Sequence, residues 1–399
     1  MYQSGRHFLQ LPGPSNVPDR VLRAMGQPPI DHRSPAFAEL GREVLDGLKP
    51  IFGTTGPVVV FPSSGSGGWE AALVNTLSPG DRVAVFETGE FARLWAEMAR
   101  RFGLDVQVAA EDWTRGVDPA RVEAVLTEDR EHRIRAVLVV HNETSTGATT
   151  RVPEIRKAID RAKHPALLLV DAVSSAGSME LLHDEWGIDV TLAGSQKGLM
   201  LPPGLSFNAI SQKALAASKV ARLPRSYWAW DSMLELNATG FFTYTPAITL
   251  LFGLREALVM LREEGLPQVF ARHRRLAAAT RAAVAAWGLP LACTREDEYS
   301  SVVTTILLPE GHDSEQLRTI SRERFNLSLG AGLGRLKGKA FRIGHLGDFN
   351  DLMLAGTLSG VEMTLATAGV PFARGGIGAA LDVLLGGSRK PVLRSSSVP

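Results

Sequence analysis

Between about residues 57 and 210 the chain alternates short apolar runs with longer amphipathic stretches. The runs VVVFPSS, RVAVFE, IRAVLVVH, ALLLVDAV, DVTLAGS and LSFNAI are near-continuous in Val, Ile and Leu. Such runs predict strands buried on both faces. Among them lie GGWEAALVNTL, FARLWAEMARRFG and VPEIRKAIDRAKH, whose apolar residues recur at helical spacing. The alternation predicts an α/β architecture, a mostly parallel sheet covered by helices on both faces. Beyond Tyr244-Thr245-Pro246 the texture changes. ITLLFGLREALVMLREEG and VFARHRRLAAATRAAVAAWG read as long helices, VVTTILLP and KAFRIGHLG as strands. The expected organisation is an N-terminal arm over 1–19, a large domain over 20–264 and a smaller α+β domain over 265–385. A flexible tail is expected over 386–399, where SRKPVLRSSSVP should fray.

Composition narrows the partners. The 399 residues are 45% hydrophobic, enough for a large core and for two domains. With 43 basic and 42 acidic residues, no overall field favours nucleic acid or an anionic membrane. One cysteine, Cys293, excludes an internal disulfide framework and fits a reducing compartment. The N-terminus, MYQSGRHFLQLPGPSN, has no apolar signal core. No apolar run approaches the ~18 residues of a membrane span. The closing RSSSVP matches no retention or peroxisomal signal. A cytoplasmic protein is expected. The nine histidines form no HxxxH or Cys/His cluster, so no metal site is expected.

Open α/β sheets bind ligands at the carboxyl ends of their strands. In this chain the segments leaving those ends are polar, Gly-rich and chemically loaded. Ser63-Ser64-Gly65-Ser66-Gly67-Gly68 links a strand to a helix, where free amides and hydroxyls can cradle a phosphate or simply make a tight turn. Glu70 breaks GxGxxG, Ser64 breaks a nucleophile elbow centred on Ser66, and GxxxxGK[ST] does not occur. Asp171 closes the apolar strand LLLVD at the edge where ligands bind, where a cation or hydrogen-bond donors must compensate its burial, or else it caps the turn at the following Ser-Ser. Lys197, in GSQKGLMLPPG, is either a solvated or phosphate-binding loop lysine or an amine with a lowered pKa that attacks carbonyls. A carboxylate, a lysine and a phosphate cradle at one sheet edge together suit pyridoxal phosphate.

The motifs PGPSNVP, SGSGGWEAALVNTLSPGD, HNETSTG, LLLVDAVSSAGS, GSQKGLMLPPG, YTPAITLLFGLREAL and KAFRIGHLGD run in order along nearly the whole chain. In them the sequence resembles the class V group of fold-type I pyridoxal-phosphate aminotransferases, namely the alanine–glyoxylate and serine–glyoxylate enzymes. The resemblance implies a large domain with a mostly parallel seven-stranded sheet and a smaller α+β C-terminal domain. It implies that Lys197 binds the cofactor aldehyde and moves the proton, and that Asp171 pairs with the pyridine nitrogen. Val173 and Phe91 would flank the ring, Phe91 standing where relatives often carry tryptophan. Ser64, Gly65, Ser66 and Gln196 would surround the phosphate, and Thr144 would donate to a ring substituent. Thr245 would reach the phosphate from the neighbouring subunit of a homodimer. A tyrosine found in some relatives is Phe242 here, leaving Tyr244 as a candidate replacement. Arg342 would clamp the substrate α-carboxylate, for which guanidinium is geometrically matched.

The expected reaction is transamination of glyoxylate to glycine, with L-serine as donor and hydroxypyruvate as its product. L-alanine and L-aspartate are alternative donors; aspartate would call for a second cation, for which Arg33, Arg222 and Arg225 are candidates. A lyase on the same scaffold, such as a cysteine desulfurase, is disfavoured: Gln196 precedes the lysine, and Cys293 lies in an ordered-looking WGLPLACTRE. A non-catalytic binding module is disfavoured because lysine and acid are both present. Trp228 and Trp230 are expected to serve packing or an interface.

Overall fold

A computed structural model of the chain describes residues 5–386. All of the expected tail except Gly386, and the first four residues of the expected arm, lie outside the described residues. The larger sheet has seven strands in the order Val58–Phe61, Ser206–Ile210, Val190–Gly194, Leu167–Asp171, Ile134–Val140, Arg82–Glu87 and Asp105–Ala110. Ser206–Ile210 is antiparallel to both neighbours, and the other pairings are parallel. The six apolar runs are six of these strands. The seventh, Asp105–Ala110, sits at the edge and is partly exposed along its length. Edge placement removes the need for a continuous apolar run, and DVQVAA has none.

Period-two alternation divides the side chains between two cores. Val58, Val60, Val137, Val139, Leu168 and Val170 face helices Pro35–Phe52, Val152–Arg161 and Ile248–Glu264. Val59, Phe61, Leu138, Val140, Leu167 and Leu169 face helices Gly65–Thr76 and Glu90–Arg101. Both faces are covered, and water is excluded from the sheet's interior.

The smaller sheet runs Phe8–Gln10, Leu327–Ala331, Ala340–Gly344, Val303–Leu307. Its first strand comes from the N-terminal arm and pairs in parallel with Leu327–Ala331. The arm is thereby woven into the C-terminal sheet, which its three-residue strand does not announce in the sequence. Helices Leu266–Trp287 and Asp351–Thr367 build a third core on this sheet. Gly265, at φ 82°, separates the helices Ile248–Glu264 and Leu266–Trp287.

Candidate active site

Strand register places the chemistry. Ser206 pairs with both Phe61 and Gly194, while Asp171 pairs with Val140 and Leu192. The turns leaving these strands converge on one rim of the large sheet. Ser64, Gly65, Ser66, Phe91, Thr144, Asp171, Val173, Gln196 and Lys197 all line a single cavity of about 120 Å³ there. These are nine of the twelve residues expected at the site. A groove of about 700 Å³ between helices Pro35–Phe52 and Ile248–Glu264 is larger, but it brings no such groups together.

Lys197 is 8% exposed, and its Nζ donates to the Pro12 carbonyl at 2.6 Å. The arm segment holding Pro12 is itself fixed to the lysine loop. Ser15 N donates to Gln196 O at 3.0 Å, and Ser15 Oγ to Lys197 O at 2.9 Å. Gly13 packs so closely that any Cβ there would collide with Nζ. Burial, helped by the charge of Arg342 and opposed by Asp171, brings the amine down to about 7. This lysine is a dry, near-neutral amine and not a solvated charge.

Asp171 is buried at the end of its strand. Oδ1 accepts from Val173 N at 2.7 Å and Oδ2 from Trp69 Nε1 at 2.9 Å. Burial pushes the carboxyl up to about 6, against the pull of these two donors and of Lys197. The Trp69 indole stacks on Trp95 at 5.8 Å and meets Phe91 edge-on at 6.4 Å.

The cradle is an open helix end. Ser64 is the N-cap of Gly65–Thr76 in an extended conformation, with no side-chain bond to the first turn. Gly67 N and Gly68 N donate to Ser64 O at 2.9 and 3.4 Å, which leaves the Gly65 and Ser66 amides available to an anion. A Cβ at Gly65 would lie 2.7 Å from Val173 Cγ2, so the glycine keeps the cradle open. Among the described residues no hydrogen-bond partner is found for the buried Gln196 Oε1.

Arg342, on strand Ala340–Gly344, enters from the small sheet. It is 7% exposed; Nε donates to Ala331 O at 2.7 Å and one terminal nitrogen to Thr144 O at 2.9 Å. Burial brings it down to about 10, still a cation at neutral pH. Among the described residues no ion pair to it is found at 4 Å or less. A buried, oriented guanidinium with no salt-bridge partner is suited to an incoming carboxylate.

Five residues of this region escaped the sequence reading, among them Val140, the last residue of its strand, which lines the cavity. Trp69, Asn142 and Ser174 line the cavity. Glu143 lies buried beside it, accepting from Ser145 Oγ at 2.6 Å, Ser145 N at 3.1 Å and Ala92 N at 3.3 Å. The Thr144 hydroxyl, expected on a ring substituent, donates to Ser174 Oγ at 2.8 Å, and Asn142 Nδ2 donates to the same oxygen at 2.8 Å. Tyr244 and Thr245 do not line this chain's cavity. Tyr244 stacks on Tyr227 at 4.3 Å, and Thr245 is exposed. Phe242 meets Phe37 edge-on at 5.9 Å. Arg33 and Arg222 are exposed to intermediate degree or more, and Arg225 is committed to the carbonyls of Val74, Ala221 and Ser218. Trp230 is fully buried, and Trp228 donates to Glu70. Cys293 is buried, its thiol pushed up to about 11 by burial. Among the described residues no group of three or more His, Cys, Asp and Glu could hold a metal. No described helix is long and apolar enough to cross a membrane.

A helix end with open amides, a buried carboxylate and a near-neutral lysine on one rim fit the chemistry of pyridoxal phosphate. Fold and site together define a pyridoxal-phosphate enzyme of fold type I. The aminotransferase class V family model matches residues 7–334, and the chain belongs to that family. It is 50% identical to a serine–glyoxylate aminotransferase of Methylorubrum extorquens, over 95% of this chain and 96% of that one. To an L-aspartate–glyoxylate aminotransferase of Paracoccus denitrificans it is 45% identical, over 93% and 94%. The crystal structure of a pyridoxamine–pyruvate aminotransferase from Mesorhizobium loti superposes with TM-score 0.90 at 28% identity, covering 96% of this chain and 98% of that one. The chain is an aminotransferase.

Proposed function

We propose that this aminotransferase passes the amino group of L-serine to glyoxylate, giving hydroxypyruvate and glycine. The observation that carries the reading is Arg342, held between Ala331 O and Thr144 O with no anionic partner within ion-pair distance among the described residues. Donor and acceptor both bear a carboxylate next to the reacting carbon, so one clamp serves both halves of the exchange. Fixing that carboxylate removes much of the entropic part of the barrier.

Bound pyridoxal phosphate supplies an aldehyde that takes up the amino group and a ring that draws electrons from the substrate α-carbon. Lys197 Nζ would bind that aldehyde and move the α-proton, for which an amine with a pKa of about 7 is well poised. Asp171 holds the protonated ring nitrogen, while Val173 and Phe91 flank the ring. Ser64, Gly65, Ser66 and Gln196 hold the phosphate, and Thr144 reaches a ring substituent. Thr245, exposed in the single chain, serves the phosphate of a second copy, with Tyr244 beside it, which makes the working unit a homodimer. Residues 20–264 act as the cofactor-binding domain and 265–385 as the domain that presents Arg342, in a cytoplasmic protein.

L-aspartate and L-alanine remain the rival donors. Aspartate needs a second cation, and none of Arg33, Arg222 and Arg225 lines the cavity of this chain. A lyase of the desulfurase kind needs a mobile, reactive thiol, and Cys293 is buried with a raised pKa. A panel of donors assayed against fixed glyoxylate tests the proposal. Serine is expected to give the highest kcat/KM; aspartate at the top would move the enzyme to the other branch.

A further inference from the structure

Trp69 lies in the first turns of the cradle helix, 102 residues from Asp171 in sequence and one hydrogen bond from it in space. Its indole N–H is a donor with no acceptor capacity, and Asp171 Oδ2 is its partner at 2.9 Å. The ring is clamped between Trp95, stacked at an interplanar angle of 14°, and Phe91, edge-on at 66°. A clamped ring fixes the direction of its N–H, and the N–H fixes the rotation of the carboxylate about its last bond. Val173 N holds the other oxygen at 2.7 Å. With one donor on each oxygen, the plane of the carboxylate is set before any ligand arrives.

We propose that Trp69 is a positioning residue that aims the Asp171 carboxylate at the cofactor's ring nitrogen and keeps it ionised in its dry setting. This inference rests on the cofactor assignment and adds a residue to it. The physical need is plain. A neutral carboxyl cannot pair with a ring nitrogen that must keep its proton. Burial favours the neutral form, and the groups opposing it are the Val173 amide, the Trp69 indole and the charge of Lys197. Lys197, brought down to about 7 by burial, is only a part-time charge beside Asp171 near neutral pH. Trp69 and Val173 are the hydrogen-bond donors that hold the anion in place for the ring nitrogen to meet. The backbone amide cannot be altered by a side chain, so Trp69 is the part of the device open to substitution.

The test is binding of pyridoxal phosphate to the full-length protein stripped of cofactor, followed by visible absorbance from pH 5.5 to 9. Trp69→Phe keeps a ring between Trp95 and Phe91 and loses the N–H. A hydrogen bond to a charged group is commonly worth a tenfold or larger change in an equilibrium. The Kd at pH 7 is expected to rise on the order of tenfold or more. The inflection in log Kd against pH is expected to move to higher pH, because the anion needed for pairing is lost sooner as pH falls. Trp95→Phe disturbs the same stack without touching Asp171 and is expected to leave the inflection in place. Installing 3-benzothienylalanine at position 69, a ring of near-equal shape with sulfur in place of N–H, gives the same measurement should the phenylalanine variant not fold. An inflection unmoved in the position-69 variants, or moved equally by Trp95→Phe, overturns the proposal. Failure of the wild-type protein to bind pyridoxal phosphate would overturn the cofactor assignment instead.

Discussion

The rim of the large sheet and the strand that brings in Arg342 both bury charge, and they do it to opposite ends. At the rim, burial drives Lys197 down to about 7 and Asp171 up to about 6, so each changes protonation near neutral pH. On the small sheet, burial lowers Arg342 to about 10 and leaves it charged. The difference follows from starting points. A lysine or a carboxylate can be moved into the working range by desolvation, whereas a guanidinium begins too high to lose its proton there. The rim thus holds an amine able to exchange protons, with a carboxylate that its donors must keep ionised, and the small sheet holds a fixed charge out of water.

Removing the exchangeable group has the largest expected consequence. In Lys197→Ala, steady-state transamination should fall by about ten-thousand-fold or more, since both the attachment point and the proton carrier are gone. Glyoxylate should still bind with Kd near that of the wild type, because Arg342 is untouched. Appreciable turnover in this variant would break the division of labour at its root. Equilibrium dialysis with labelled glyoxylate reads the second half of the expectation.

Removing the fixed charge should cost less and should show in binding. Arg342→Ala deletes charge-assisted hydrogen bonds worth about 1.5–3 kcal/mol. The KM for the amino donor and the KM for glyoxylate should both rise by roughly 10- to 100-fold. If one substrate alone were weakened, a shared clamp would be wrong. Arg342→Lys keeps the charge, loses the bidentate fork, and should fall between the two.

The two regions also differ in how far they could be read from sequence. Leu167–Asp171 and Val190–Gly194 are buried on both faces, so their apolar runs and polar endings are visible in one dimension. Asp171 and Lys197 stand out because each interrupts or closely succeeds such a run. Asp105–Ala110 lies at an edge and Phe8–Gln10 is three residues long. Their strand character comes from partners far away in the chain. Arg342 could be singled out through family motifs, since an arginine within AFRIG carries no local signal of purpose. Trp69 reads as one more apolar residue in WEAAL. Its meaning depends on a carboxylate 102 positions on, at a distance that helix-on-sheet packing alone determines. Glu143 was hidden for the same reason: HNETSTG looks like a polar loop, and its burial under helix Glu90–Arg101 is a tertiary fact.

Glu143 is where the two strategies meet, and it gives the smallest and most discriminating expected effect. Its carboxylate receives Ala92 N at 3.3 Å and Phe91 N at 3.4 Å, amides of a helix whose N-cap, Gly89, has no side chain to offer. A Cβ on Gly89 would collide with Glu143, so the glycine makes room for this substitute cap. The neighbouring Thr144 carbonyl holds Arg342 at 2.9 Å. Burial pushes the carboxyl from 4.5 up to about 7, overcoming the Ser145, Ala92 and Phe91 donors. The folded protein therefore binds this proton more tightly than the unfolded chain does. The resulting stability is fully present below about pH 4.5 and is lost as pH rises through about 7. At about 1.4 kcal/mol for each pH unit, the whole displacement amounts to on the order of 3 kcal/mol. Glu143→Gln has no proton to lose. At pH 5 the variant should be the less stable, because an amide cannot accept at both oxygens' positions from the Ser145 and Ala92 N–H groups. Between pH 5 and 8 the variant's Tm should gain on the wild type by a few degrees. A Tm difference constant across that range would mean that the carboxylate is as comfortable under its helix as in water, and that burial treats this acid as it treats Arg342, by leaving its charge in place.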